Sequence, residues 1–400
     1  MIATQAMIAG HMSPKDEAEA ADILREAHDT RTPLSVFGGN TRAGIGRTVE
    51  VQSSISSSNI SGIVDYEPAE MVMIAKAGTP LSEIEEALAK GRQRMIFEPM
   101  DHRALLGSKG TPTVGAIAAG NISGPRRFVA GAARDSLLGA RFVNGRGEVI
   151  KTGGRVMKNV TGLDLVKLMA GSWGTLGLLT EVTFKVVPLV ETETTLVVHG
   201  QSAEQAAGAM AMAMATSNEV SGAAHVPAAL SSSLEGFDCA VTCLRLEGFE
   251  NSVALRAQNL KALLGGTGEI SLLESEASQK LWLAIRDCQP FADGTDDPVW
   301  RISTAPMNGH TIAAAFPDAD AYFDWQGGLV WMRMKGDPKA EELRDRLAQL
   351  GGHATLVRAS SDVRKSVPAF HPQEEAVAAL SARIKAQFDP QNILNKGRML

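Results

Sequence analysis

Glycine is the residue type whose placement says most about chemistry in this 400-residue chain. Its 39 copies concentrate between Gly38 and Gly177, in groups at 38–46, 107–124, 145–154 and 171–177. Without a Cβ, glycine lets a backbone lie close against a ligand or adopt positive φ, at an entropic cost. Several such groups in one half of the chain suggest a large, extended ligand touched mainly by main chain. In Gly38-Gly39-Asn40-Thr41, which follows the short strand pattern Pro33-Leu34-Ser35-Val36-Phe37, successive N–H groups converging on a phosphate would form an anion nest, with the Thr41 hydroxyl as a further donor. The competing reading is a plain hairpin connection. A Rossmann NAD enzyme and a P-loop both fail here, because no helix pattern follows the loop and Gly-Lys-Ser/Thr is absent.

The side chains able to do acid–base or metal chemistry are sparse. The eight histidines, at 11, 28, 102, 199, 225, 310, 353 and 371, stand singly, with no HxxxH or His-Glu cluster, so no metal is expected. His353 and His371 are the two to test. Arg301, in the run Trp300-Arg301-Ile302-Ser303, could meet a substrate carboxylate bidentately or serve as an ordinary ion pair. Cys239, Cys243 and Cys288 are too few for an iron–sulfur cluster that needs four thiolates, and too few to staple a chain of this size. Cys239 and Cys243, four apart on a strand pattern, read as buried small hydrophobes on one face.

The elements that must position these groups begin with Ser13-Pro14-Lys15-Asp16, an N-cap and first-turn signature opening a helix over 14–31. Residues 53–61 are serine-rich and read as a solvated connector. Strands are expected at 62–66 and 72–77, then a helix from Thr79 to Lys90. Small residues between Gly110 and Asn121 let a helix pack very close to something flat, either a neighbouring strand or a ligand ring. Asn144-Gly145 marks a hairpin, a helix beginning at Lys158 ends near Gly171, and a long strand covers 178–187. Beyond Pro188, helical stretches (206–215, 254–264, 339–350) alternate with strand patterns at 239–244 and 328–332, a second α+β unit. Globular composition, 44% apolar and 21% charged, excludes a disordered or coiled-coil chain. With 39 basic against 45 acidic residues and net charge −6, nucleic acid is not an expected partner. The first charged residue is Lys15, and the longest mild apolar stretch, 206–215, is too short to span a bilayer. A cytoplasmic protein with no integral membrane segment is the expectation.

In chain order, several motifs follow the glycine loop: Asp65-Tyr66-Glu67-Pro68-Ala69-Glu70, Ala77-Gly78-Thr79-Pro80-Leu81, Phe97-Glu98-Pro99, Thr113-Val114-Gly115, Ser123-Gly124-Pro125-Arg126-Arg127, Val156-Met157-Lys158-Asn159-Val160-Thr161-Gly162 and Gly171-Ser172-Trp173-Gly174-Thr175-Leu176-Gly177. The set resembles the FAD-binding domain of the vanillyl-alcohol oxidase (PCMH-type) superfamily, and within it the FAD-binding E subunits of glycolate oxidases. Val299-Trp300-Arg301-Ile302-Ser303, Asp324-Trp325, Gly351-Gly352-His353-Ala354-Thr355-Leu356 and Phe388-Asp389-Pro390 to Gly397-Arg398-Met399 agree in order. The resemblance implies an α+β fold: a PCMH-type FAD-binding domain of two α+β subdomains over 1–188, an α+β cap over 189–370, and a C-terminal return at 371–400 onto the FAD domain.

The resemblance further implies FAD as cofactor, held non-covalently because the nest loop has no histidine or cysteine to link it. Phe37, Gly38, Gly39, Asn40 and Thr41 would bind its pyrophosphate. Pro99, Thr113, Val114, Gly115, Gly120, Ser123 and Gly124 would lie along the pyrophosphate and flavin side. Gly174, Gly177, Leu178 and Leu179 would line the adenosine or flavin-proximal wall. The implied reaction is oxidation of glycolate or another small 2-hydroxy acid to the 2-oxo acid, with a D-type catalytic flavoprotein and an F-type iron–sulfur protein of the same glycolate oxidase complex as partners. Such a complex could tie the chain peripherally to the inner membrane. The alternatives are a self-sufficient flavin-dependent 2-hydroxy-acid dehydrogenase and a non-catalytic FAD-binding assembly subunit. Two departures stand out: Leu163 where relatives have tyrosine, and Asn395-Lys396-Gly397-Arg398 where they have Asn-Pro-Gly-Arg.

Overall fold

A computed structural model describes residues 10–49, 51–155 and 163–399. The motif at 156–162, and with it the start of the helix expected at Lys158, lies outside the described residues; the helix described there is Leu165–Met169. The first helix runs Glu17–Thr30 and is capped by Asp16, whose carboxylate accepts from the Glu19 N–H at 2.9 Å. It therefore starts later than the Ser13-Pro14 signature implies. Aspartate caps as well as serine, and here Glu19 also reaches back to the Lys15 N–H, closing the turn at that point.

This helix packs on a small parallel sheet of β1 (Gly10–Met12), β2 (Leu34–Phe37) and β3 (Ser53–Ser56), in the order β1-β3-β2. The serine-rich run is thus the central strand and not a solvated connector. Its hydroxyls are absorbed locally: Ser56 Oγ donates to the Gly38 carbonyl at 2.9 Å, so burying them costs little. The pairing of β2 with β3 is parallel, which removes the hairpin alternative for the glycine loop between them. The C-terminal return lies on the free edge of β2, where Leu34 N–H donates to Ile393 O at 2.7 Å and Asn395 N–H to Leu34 O at 3.0 Å.

The second sheet is antiparallel. In chain order its region holds β4 (Ile63–Glu67), β5 (Val72–Lys76), the short β6 (Gln93–Arg94), β7 (Leu137–Val143), β8 (Val149–Gly153), β9 (Leu178–Lys185) and the two-residue β10 (Val187–Pro188). Five of these form the order β4-β5-β9-β7-β8, and β6 pairs with β10. The Asn144 turn joins β7 to β8, its Oδ1 accepting from Arg146 and Glu148 N–H. Helix Val114–Gly120 crosses this sheet, with Ile117 in the core among Phe97, Phe142 and Phe184.

The remaining strands are β11 (Thr192–His199), β12 (Gly222–Val226), β13 (Val241–Gly248), β14 (Ile270–Glu274), β15 (Val299–Ser303), β16 (Asp320–Asp324), β17 (Leu329–Arg333) and β18 (His353–Arg358). They form one eight-stranded antiparallel sheet, β14-β11-β13-β12-β16-β17-β15-β18. Helices Ala203–Met214, Glu250–Leu264 and Ala340–Leu350 cover one face, on Leu196, Leu244 and Leu246 at one end and Trp300, Ile302 and Met332 at the other. The alternate residues Val197, Cys243, Val299 and Trp331 join the core shared with the first half. Both faces are covered, which is why β13 is buried at nearly every position, Thr242, Arg245 and Glu247 included. Cys239 lies before β13, partly exposed, while Cys243 is fully buried within it; the two cysteines do not share a strand face. Among the described residues no helix is long and apolar enough to cross a membrane.

Candidate cofactor-binding site

A cavity opens between the parallel sheet and the five-stranded sheet, with about 600 Å³ of space unfilled by protein, part of it open to solvent. Its walls are the end of β2, the loop after it, one face of helix Val114–Gly120, the loop 173–177 and the start of β9. Ten of the residues expected at the cofactor line it: Phe37, Gly38, Asn40, Thr41, Gly115, Gly120, Gly174, Gly177, Leu178 and Leu179.

The glycine loop owes its shape to a second loop. A Cβ on Gly39 would lie 1.6 Å from the Thr111 carbonyl oxygen, one on Gly110 would lie 1.8 Å from the Gly39 oxygen, and one on Gly38 would lie 2.2 Å from Thr113 Oγ1. The loops at 38–41 and 110–113 therefore lie backbone on backbone. The Cβ that Gly39 lacks would occupy the place of Thr111, so the missing side chain serves the contact between the two loops. Asn40 takes left-handed φ, 58°. Among the described residues the N–H groups of Gly38, Gly39, Asn40 and Thr41 donate to no protein acceptor, which leaves them available to a ligand. Gly115 serves the helix–strand contact, its N–H donating to Ala77 O at 2.8 Å with a Cβ position 2.5 Å from the Ala77 methyl. The cavity wall on that helix is completed by Ala116 and Ala119.

Two cations that the motif reading passed over line the same cavity. Arg42, 6% exposed, donates from Nε to His102 Nδ1 at 3.2 Å and from Nη2 to Met100 O at 3.1 Å, while its Nη1 has no partner. Burial pushes its guanidinium down to about 10. Burial and the Arg42 charge hold His102 well below the usual imidazole range, so His102 is the neutral acceptor of that bond. Arg398, 9% exposed, stacks over Trp173 at 5.4 Å and donates from Nη2 to the Arg42 carbonyl at 2.9 Å, while its Nε has no partner. Burial, and then Arg364, push it down to about 10. Asn395 fixes this corner: its side chain accepts from Val36 N–H and donates to Val36 O and Trp173 O, all at 2.8–2.9 Å.

The other six expected residues lie elsewhere. Gly39 and Thr113 form the loop–loop contact, Val114 N–H donates to Thr79 O at 3.0 Å, and Ser123 Oγ accepts from Ala133 N–H. Pro99 is buried beside Glu98. Gly124 meets the eight-stranded sheet, its carbonyl accepting from Trp325 Nε1 at 3.0 Å. That seam holds the three acid–base candidates. Across β15 and β18, Ser303 pairs with His353, which puts His353 on the same face as Arg301, two residues along. Arg301 and Arg127 each stack on the Trp325 ring with guanidinium carbons 4.9 Å from its centroid, and neither has a carboxylate partner among the described residues. Burial, and then Arg127, push Arg301 down to about 10. Partial desolvation by its neighbours, then Arg301 and His371, push the His353 imidazole down although the residue is exposed at its strand end, and desolvation lowers His371, whose Nδ1 accepts from Ala354 N–H at 3.4 Å. Next to Trp325, burial pushes the Asp324 carboxyl up to about 7, although Trp325 N–H donates to it at 2.6 Å.

Farther along the seam the charges are paired. Arg245 binds Glu98 with two bonds of 2.9 Å, Arg126 bridges Glu98 and Glu247, and Arg94 reaches Glu247 at 2.8 Å. Burial raises the Glu98 carboxyl, but Arg245 and Arg126 outweigh it and hold it at about 2. Among the described residues no group of three His, Cys, Asp or Glu side chains is arranged to hold a metal ion. Leu163 is 81% exposed.

Comparison with known proteins agrees with this geometry. Residues 8–153 match the FAD binding domain family FAD_binding_4. The chain is 32% identical to glycolate oxidase subunit GlcE of Escherichia coli K12 across 94% of this chain and 95% of that one. It is 25% identical to glycolate oxidase subunit GlcD of Bacillus subtilis 168 across 99% and 89%. Its fold superposes on p-cresol methylhydroxylase, crystallised with substrate bound, with a TM-score of 0.72 at 13% identity, covering 98% of this chain and 89% of that one. The fold is thus α+β of the PCMH, vanillyl-alcohol oxidase-like type. With close to a third of its residues shared over almost its whole length, this chain belongs to the GlcE family of FAD-binding glycolate oxidase subunits.

Proposed function

We infer that this chain is the FAD-binding subunit of a glycolate oxidase complex that oxidises glycolate or a related 2-hydroxy acid to the 2-oxo acid. The observation that supports the reading is the cavity wall at Gly38, Asn40 and Thr41, whose backbone N–H groups have no protein acceptor among the described residues and offer an extended anionic cofactor hydrogen bonds. Gly38, Asn40 and Thr41 are the residues proposed to hold the FAD pyrophosphate. Phe37, Gly115 and Gly120 line its path, with Gly174, Gly177, Leu178 and Leu179 on the opposite wall. Gly39, Thr113 and Val114 support the loop from behind, and Pro99, Ser123 and Gly124 carry the wall toward the cap. The loop contains no histidine or cysteine, so the flavin is held non-covalently, by many main-chain contacts.

FAD, when bound, supplies a hydride acceptor for the substrate α-carbon. Arg301, unpaired beside Trp325, takes the substrate carboxylate, and Arg127 adds a second positive charge. The neutral imidazoles of His353 and His371 are the side chains available to take the hydroxyl proton. Proton transfer of this kind contributes roughly 10²–10⁴-fold to a rate when the base is well positioned. His353 is exposed at a strand end, so the isolated chain is expected to turn over slowly. Three cysteines supply no internal iron–sulfur relay. A D-type catalytic flavoprotein and an F-type iron–sulfur protein are the proposed partners, with the complex working in the cytoplasm or at the inner-membrane surface.

The test is an assay of the FAD-loaded chain with glycolate and D-lactate and a dye acceptor, alone and after co-expression with D- and F-type partners. Turnover only in the complex is the expected result. Robust turnover by the isolated chain would replace this reading with that of a self-sufficient dehydrogenase.

A further inference from the structure

We propose that Arg42 and Arg398 together carry the countercharge for the FAD diphosphate, so that cofactor binding locks the C-terminal return of the chain onto the flavin cavity. The inference rests on FAD occupying that cavity.

Both side chains are more than nine-tenths buried, both line the cavity, and each keeps one donor without a partner, Nη1 of Arg42 and Nε of Arg398. Among the described residues neither forms an ion pair. The carboxylate whose charge Arg42 feels, Asp101, is engaged by Arg103 through contacts of 2.7–3.1 Å. Arg364, alongside, also binds only carbonyls, those of Gly46 and Ala43, so the loop at 41–47 is ringed by arginine without acid. A buried guanidinium stays protonated at neutral pH, and removing it from water without a counter-ion is costly. A fold that keeps two such cations in one cavity with the free N–H groups of Gly38, Asn40 and Thr41 is built to receive an anion. The diphosphate bears two negative charges, matching the two arginines, and forked guanidinium donors suit phosphate oxygens.

The coupling follows from where the two residues sit in the chain. Arg398 Nη2 holds the Arg42 carbonyl across 356 residues of sequence, so an anion held between the two cations would also relieve their mutual repulsion and pin the segment at 393–399. FAD binding and docking of the chain end then become one equilibrium, each favouring the other by the same factor.

The experiment uses the full chain stripped of flavin, titrated with FAD and with riboflavin, which has the same ring and no phosphate. Wild type, Arg42→Met, Arg398→Met and Arg398→Lys are compared by flavin fluorescence, and backbone hydrogen exchange of 393–399 is followed with and without FAD. Each methionine variant is expected to weaken FAD about 10- to 100-fold, the range for a charge-assisted bond, with riboflavin affinity within about threefold of wild type. Arg398→Lys should recover part of the loss, and FAD should slow exchange at the chain end in wild type but not in Arg398→Met. Equal loss of FAD and riboflavin, or unchanged FAD affinity, would overturn the role given to the arginines while leaving the cavity assignment standing. Failure of the folded wild-type chain to bind either flavin would overturn both.

Discussion

Where the five-stranded sheet meets the eight-stranded one, Arg94, Arg126 and Arg245 share the carboxylates of Glu98 and Glu247. Along the cavity, Arg42 and Arg398 are also deeply buried and, among the described residues, share nothing with an acid. The residue type is the same and the burial comparable, so the difference lies in what completes the charge. At the seam another side chain does, and the pairs fix one half of the molecule on the other. At the cavity the completing charge comes from outside the polypeptide. Unpaired buried cations are thus better guides to a ligand than burial or cation count alone.

The largest effect is expected from Gly39→Val, which attacks the cavity through its protein scaffold. A Cβ 1.6 Å from a backbone oxygen must displace the loop at 38–41 or the one at 110–113, costing roughly 4 kcal/mol or more. Purified Gly39→Val should contain little flavin and melt early; a normal flavin-to-protein ratio would refute the loop–loop contact. Glu98→Gln breaks the other side of the comparison. Leaving Arg245 and Arg126 short of a buried partner should cost about 3–5 kcal/mol in urea unfolding, with flavin retained under native conditions. Because the folded Glu98 carboxyl is held at about 2, below its ordinary 4.5, its contribution is present above that ordinary value and is lost as pH falls toward 2. The wild type should therefore lose stability in acid over that window, and Glu98→Gln should lose less.

Arg301→Met tests the unpaired cation stacked on Trp325. In the assembled complex kcat/KM for the 2-hydroxy acid should fall by about 10- to 100-fold, as expected for loss of a bond to a carboxylate, with the melting temperature of the chain little changed. The smallest effect belongs to Asp324. Its folded value, about 7, is raised above the ordinary 3.8 by burial, so stability from the neutral carboxyl is full below about 4 and is lost as pH rises through 7. Asp324→Asn should flatten that decline and unfold at higher urea than wild type at pH 8, by about 1–3 kcal/mol; an unchanged pH dependence would show that Asp324 titrates normally.

Much of the flavin side was legible because it is written in local signals. The glycine groups, the Asn144 turn and the small-residue helix each depend on backbone freedom within a few positions, and ten of the expected residues fall on one cavity. The central strand Ser53–Ser56 was not legible, since serine has little strand preference and its burial is made acceptable by a bond to Gly38 formed only in the fold. Gly39 shows the limit of glycine reading: the sequence calls for an absent Cβ, but only the packing reveals that Thr111 fills the space. Arg42 and Arg398 were passed over, because their meeting at one cavity depends on a contact spanning 356 positions. The eight-stranded sheet was readable in outline, as strands and amphipathic helices. The meeting of Arg301, His353 and Arg127 around Trp325 was not, because three distant segments build it.

The most direct test of the central claim, that the cavity of this chain holds FAD through non-covalent contacts, is to purify the chain, precipitate it with acid and measure flavin in the supernatant and pellet. The expected result is one FAD per chain, all of it in the supernatant and intact as the dinucleotide by chromatography. A yellow pellet, or a folded chain that neither carries nor takes up FAD, would contradict the account.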